Sequence, residues 1–179
     1  MANAWAEGAD TSVAIEDGVS LRLIRSDDAA RLIAFHERLS LHTAYQRFFA
    51  AMRRLPPDWA RYLANVDYRT RLALVIEHAG DNGPELIGVG RYEPTAQPDT
   101  VEVAFVIQDG WQGKGLGRIL LHELIAAANA RGIRHFRAYV LSENARMLRL
   151  LSRHTRIIER RTAGGVTELL FERMSQTPA

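Results

Sequence analysis

The chain has 179 residues, 47% hydrophobic and 25% charged, the proportions of one globular α/β domain with a full core. Its net charge of +2 and pI of about 9.3 arise from many arginines offset by nearly as many acids, so no basic block singles out a nucleic acid as partner. Cysteine is absent, which excludes disulfides, thiolate catalysis and cysteine metal sites.

Residues 1–17 are small and polar apart from Trp5 and read as a flexible tail. The opening MANAWAEGAD has neither the basic start nor the apolar stretch of a signal peptide, and no apolar run approaches the ~20 residues of a membrane span. A cytoplasmic domain with no membrane partner is the expectation. After Gly18, the alternation of Val19, Leu21 and Leu23 predicts a strand to Ile24. Ser26-Asp27-Asp28 supplies an N-cap and early acids for a helix carrying Leu32, Ile33, Phe35, His36 and Leu39. Residues 41–52, LHTAYQRFFAAM, read as a second helical piece, with Tyr45, Phe48 and Phe49 expected in the core. Pro56-Pro57-Asp58 opens a short helix over 59–66. Strands over 71–78 and 86–92 are expected to pair as a hairpin about Asp81-Asn82-Gly83-Pro84. A strand at 101–108, a glycine-dense turn and a helix from Leu116 to Arg131-Gly132 follow. Next come a strand over 134–141, a helix from Ser142-Glu143-Asn144 to His154, and strands over 156–161 and 166–171 that reverse at Ala163-Gly164-Gly165. No repeat or linker divides the chain, so one domain is expected over 18–173, with a polar tail at 174–179.

The stretch around which the rest is organised is VEVAFVIQDGWQGKGLGRIL, residues 101–120, where strand, turn and helix join without a gap. In the turn, Gly113, Gly115 and Gly117 alternate, which frees the backbone to point several N–H groups inward at a helix N-terminus. Such a nest suits an anion, and Lys114 and Arg118 add positive charge beside it. The simpler alternative is that the glycines only make a tight turn. The spacing fits neither G-x-G-x-x-G nor G-x-x-x-x-G-K-[ST], so neither a dinucleotide fingerprint nor a P-loop is present.

Gln112-Gly113-Lys114-Gly115-Leu116-Gly117 resembles the acetyl-CoA-binding motif of the GNAT superfamily of N-acetyltransferases, and the order of strands and helices over nearly the whole chain is the GNAT order. Within the superfamily, Tyr45-Gln46-Arg47-Phe48-Phe49, residues 87–92, residues 102–105 and Asn144 through Met147 look like the acetyltransferase domain of bacterial protein lysine acetyltransferases. The resemblance implies a central mixed, mostly antiparallel sheet flanked by helices, and acetyl transfer from acetyl-CoA to a primary amine, first of all a protein lysine. It implies pyrophosphate binding by Gln112, Gly113, Lys114, Gly115, Leu116, Gly117 and Arg118, and a carbonyl contact from a backbone N–H near Phe105, Val106 or Ile107. A small-molecule amine acceptor and a low-turnover CoA-binding sensor are the alternatives, and a homodimer is left open.

A lysine amine has a reference pKa near ~10.4, so a base must take its proton. Glu102 is the candidate: it shares a strand face with Ala104 and Val106, where an apolar setting would strengthen it as a base, and it matches the glutamate base of the resembling enzymes. The other reading places it at an exposed strand end or paired with an arginine such as Arg91. Asn144 matches a family asparagine that contacts CoA, and equally suits a helix cap. Where many GNAT enzymes carry a general-acid tyrosine, seven residues beyond that asparagine, this chain has Leu151. The six histidines show no ligand spacing, so no metal is expected. Trp111 stands next to the motif as either a cofactor flank or a core cap.

Overall fold

The computed structural model describes Trp5 and residues 12–16, 18–81 and 83–174. In chain order these form β1 (Ser12–Glu16), β2 (Val19–Leu23), α1 (Ala29–Glu37), α2 (Leu41–Phe48), α3 (Pro57–Ala64), β3 (Leu72–Gly80), β4 (Gly83–Pro94), β5 (Thr100–Ile107), α4 (Leu116–Asn129), β6 (His135–Leu141), α5 (Ala145–His154), β7 (Thr155–Ala163) and β8 (Val166–Arg173). The strands make one sheet in the order β1-β2-β3-β4-β5-β6-β8-β7. Every junction is antiparallel except β5 with β6, which is the mixed, mostly antiparallel sheet expected.

Strand alternation sorts the apolar residues to two faces. Leu21, Leu74, Val103, Phe105, Phe136 and Phe171 pack with Leu120 and Leu124 of α4 and Leu151 of α5. Val75, Leu86, Val89 and Val106 pack on the other face with Phe35 of α1 and Ala60 of α3. Glycines do what their positions require: Gly132 ends α4 at φ 83, and Gly164 and Gly165, at φ 57 and 79, make the two-residue reversal between β7 and β8.

Several expectations change. Residues 12–16, read as part of a tail, form β1 against β2 around Gly18, because the outer edge of β2 is otherwise open. Trp5 is buried; its Nε1 donates to Glu123 at 2.9 Å and its carbonyl accepts from Arg131. The rest of the expected tails (1–4, 6–11, 17 and 175–179) and Asn82 of the hairpin turn lie outside the described residues. That hairpin is tighter than expected, since Gly83 and Pro84 already pair with Gly80 and Ala79. At the start of the first helical stretch, the Asp28 carboxylate, not Ser26, takes the Arg25 N–H at 2.8 Å. Asp28 also binds Arg22, itself 3% exposed, at 2.7 and 2.8 Å, and Arg22 donates to Glu77 at 2.6 Å.

The second helix stops at Phe48 rather than Met52, closed by Phe49 in the left-handed region at φ 54. Its aromatic group is only partly core: Phe48 is half-buried against the cluster that holds Phe35, but Tyr45 is 43% and Phe49 39% exposed. The buried face of α2 is Thr43 and Ala44, and positions 45 and 49 fall on the opposite side.

Candidate active site

Parallel pairing of β5 and β6 covers only Thr100 with His135, Val101 with Phe136 and Glu102 with Arg137. Beyond that point β6 follows β8 as far as Leu141, while β5 stays with β4 to Ile107. The two strands therefore part. Along residues 103–107 the edge of β5 facing β6 has no strand partner, and its backbone polar groups are available to an extended ligand. A cleft of about 490 Å³ opens there, walled by β5, by Ala138, Tyr139 and Val140 of β6, by the glycine turn, by α5 and by α2.

At the turn, Gly113 and Gly115 have φ 81 and 86, while Gly117 lies inside α4. Only two of the three glycines thus serve the backbone conformation. Gly117 instead faces α5, where a Cβ would make an ordinary contact 3.6 Å from Leu150 Cδ2. The N–H groups of residues 113–117 have no backbone acceptor among the described residues, and they stand at the positive end of a 14-residue helix. Exposed Lys114 and Arg118 flank them. The Lys114 ammonium lies 4.3 Å from the centre of the Trp111 ring, whose other neighbour is His78 at 4.7 Å. Trp111 both lines the cleft and packs on the core.

The Gln112 side chain braces the corner beside the turn. Its Nε2 donates to the Ile107 carbonyl at 3.0 Å and to Thr43 Oγ1 at 3.3 Å, and its Oε1 accepts from Arg146 of α5. It therefore ties α2, β5 and α5 together. Asp109 pins the same corner, accepting from Ser40 N and Oγ and from Thr43 Oγ1 at 2.7 to 2.9 Å. Desolvation would raise the Asp109 carboxyl, but these hydrogen bonds outweigh it and hold it below the ordinary aspartate range.

Glu102 sits where β5 and β6 part, but it is exposed, so the apolar setting expected for it is not found. Among the described residues it makes no hydrogen bond or ion pair. The alternative pairing with Arg91 is also not found: Arg91 donates to Glu93. Asn144 is the N-cap of α5, its Oδ1 accepting from Met147 N at 3.1 Å, which is the capping reading. Leu151 is fully buried and Ser152 and His154 are exposed. Phe105 and Val106 point to opposite faces of β5, and Ile107 ends it. Sequence reading missed Arg47, placed in a run taken as core, and Tyr139, 39% exposed on β6, both of which line the cleft. Nothing local marks either one, because only the parting of the strands makes a cleft beside them. Among the described residues no group of three or more His, Cys, Asp or Glu side chains is placed to hold a metal.

A profile of the Acetyltransferase (GNAT) family matches residues 38–154. The chain belongs to the GNAT acetyltransferase family. It is 31% identical to an acetyltransferase of Pseudomonas aeruginosa over 130 residues, 72% of this chain and 70% of that one. It is also 31% identical to the acetyltransferase Pat of Mycolicibacterium smegmatis over 133 residues, 74% of this chain but only 39% of Pat. The GNAT domain of S. lividans PAT superposes with a TM-score of 0.78 at 35% identity, covering 90% of this chain and 96% of that one.

GNAT enzymes use acetyl-CoA, and this cleft fits it on three counts. The unpaired N–H groups at the start of α4 suit a pyrophosphate, the open edge of β5 suits an amide-bearing arm, and the parted strands leave room for it between two sheet halves. No helix among the described residues is long and apolar enough to cross a membrane.

Proposed function

We propose that this GNAT domain transfers the acetyl group of acetyl-CoA to a lysine side chain of a protein, by direct attack of the amine with no covalent enzyme intermediate. The observation that carries the reading is the position of Glu102: an accessible, unpaired carboxylate at the fork of β5 and β6. Acetyl-CoA supplies the activated thioester carbonyl. Residues 113–117 and the cations Lys114 and Arg118 hold its pyrophosphate through backbone N–H groups and charge. A backbone N–H within Phe105–Ile107 donates to the carbonyl oxygen, and its dipole is worth more as negative charge gathers there. Glu102 takes the proton of the incoming ammonium, directly or through a water. Leu151 offers no proton for the departing thiolate, which leaves as the anion or takes one from solvent.

Lysine as acceptor draws on the likeness to Pat of M. smegmatis and to PAT of S. lividans, and on an open face beside Glu102 that a protein surface can reach. The buried Leu151 favours a second reading, a CoA-binding sensor of low turnover. Acetyl-labelled CoA added to a soluble extract with and without the protein separates the readings. Enzyme-dependent label on protein lysines is the expected result. Label only in small molecules would replace the acceptor, and label in neither, with acetyl-CoA still bound, would leave the sensor.

A further inference from the structure

Arg47 is a cleft-lining cation of α2 for which neither the fold nor the proposed chemistry yet has a use. It lies one turn beyond Thr43 on the same face of α2, and Thr43 is pinned to Asp109 at 2.8 Å, so the helix presents Arg47 to the cleft rather than to solvent at large. Its side chain is partly exposed there. Among the described residues it makes no hydrogen bond and no ion pair; its guanidinium carbon is 4.9 Å from the ring centre of neighbouring Phe48.

The charges around it are unbalanced. Desolvation, with repulsion from Arg91, lowers the guanidinium to about 10, still charged at neutral pH. Glu102 and Glu93 attract it without reaching it. Glu93 is already held by Arg71, at 2.6 Å, and by Arg91. Two other desolvated cations among the described residues do have a carboxylate partner: Arg22 has Asp28, and Arg91 has Glu93. A cation drawn out of water without a partner is unfavourable, and a carboxylate in bidentate geometry answers it best. The anions of the cofactor have their own seat at residues 113–117, at the start of α4, which packs on the sheet face carrying Phe105, whereas Arg47 is coupled to Glu102 on the other face.

We propose that Arg47 binds a carboxylate carried by the acceptor, so that the enzyme prefers an amine with an acidic group beside it. The inference rests on the acetyltransferase reading above and narrows its acceptor: Glu102 takes the amine end and Arg47 the acidic end. The carboxylate belongs either to an Asp or Glu next to an acceptor lysine or to a free amino acid bearing the amine.

The test compares kcat/KM for lysine peptides with Asp or Asn beside the lysine, and for free amino acids against their amides, in the wild type, Arg47→Gln and Arg47→Lys. Wild type should favour each carboxylate-bearing acceptor about tenfold, the size of one charge-assisted hydrogen bond. Arg47→Gln should bring the ratio to about one with acetyl-CoA affinity unchanged, and Arg47→Lys should keep part of it. Because the ratio is internal to each variant, a partly unfolded preparation does not alter it. A wild-type ratio near one, or a ratio that survives Arg47→Gln, overturns the proposal. If peptides are inert while amino acids are acetylated with an Arg47-dependent preference, the protein-lysine reading falls and the role of Arg47 stands. If no acceptor is acetylated although acetyl-CoA binds, both fall.

Discussion

Glu102 is an ordinary exposed strand residue until the neighbouring strand leaves it. Its paired neighbours are Glu93 on β4 and Arg137 on β6, but Glu93 is held by Arg71 and Arg91, and Arg137 is 3.1 Å from Glu168. Glu102 is left exposed to solvent, one residue before Val103, where the lining of the cleft begins on β5. As a proton acceptor it contributes to turnover and not to cofactor binding. Glu102→Gln is therefore expected to bind acetyl-CoA within about twofold of wild type in titration calorimetry and to lose about 100- to 10,000-fold in kcat. An unchanged kcat would remove Glu102 from the chemistry.

The packing of β5 and α4 on β4 depends on two glycines of β4, Gly88 toward β5 and Gly90 toward both. A Cβ at Gly90 would lie 3.0 Å from Phe105 Cδ1 and 3.3 Å from Leu120 Cβ, and one at Gly88 only 2.7 Å from Ile107 Cδ1. These absent side chains let β5 and α4 close on β4, which fixes where the N-terminus of α4 meets the open edge of β5. Gly90→Val should lower stability by about 1–3 kcal/mol and Tm by about 3–10 °C, and weaken acetyl-CoA binding as α4 is displaced. Gly110→Ala is the matched control: nothing lies within 4 Å of its Cβ position and its φ is not in the left-handed region, so its melting curve should match the wild type. Equal melting of the two variants would refute the packing argument.

Acid should destabilise the whole molecule in two stages. His36 is buried with neither ring nitrogen hydrogen-bonded, and its ring centre is 5.5 Å from that of Phe48. Desolvation lowers it from 6.5, the nearby charge of Glu37 pulling the other way. The folded state then holds fewer protons than the unfolded chain, so stability falls as pH drops below about 6.5. Burial would raise Asp28 and Glu77, but the hydrogen bonds and charges of Arg22 and Arg31 prevail and hold both below their ordinary values. Depressed carboxylates stabilise the fold above their unfolded values of 3.8 and 4.5, and that stability is lost as pH falls through the lower folded values. Urea unfolding from pH 8 to 3 should show both stages. His36→Phe should flatten the first and leave the second; a first stage that persists in this variant would assign it elsewhere.

Periodicity and turn chemistry in the chain were enough for the order of elements from β2 onward, the glycine turn and the helix after it, because each is a local property: strand alternation, positive φ at Gly113 and Gly115, a cap at Gly132; the sheet type came from the family resemblance. Family likeness and Glu102 also came from residues contiguous in the chain. Local pattern could not say which face of a short helix is buried, so Tyr45 and Phe49 were assigned to a core that they do not enter, and Arg47 between them was not read as a cleft residue. Nor could it show that Gln112 braces three elements, since Thr43 and Arg146 stand 69 and 34 residues away. The strand at residues 12–16 was hidden for a related reason: its pairing with β2 depends on an open sheet edge, which exists only once the sheet is assembled. The cleft itself has no sequence signature. It arises because β6 is paired with β8 along its whole length and with β5 for only three residues, a competition between neighbours that the assembled fold alone resolves.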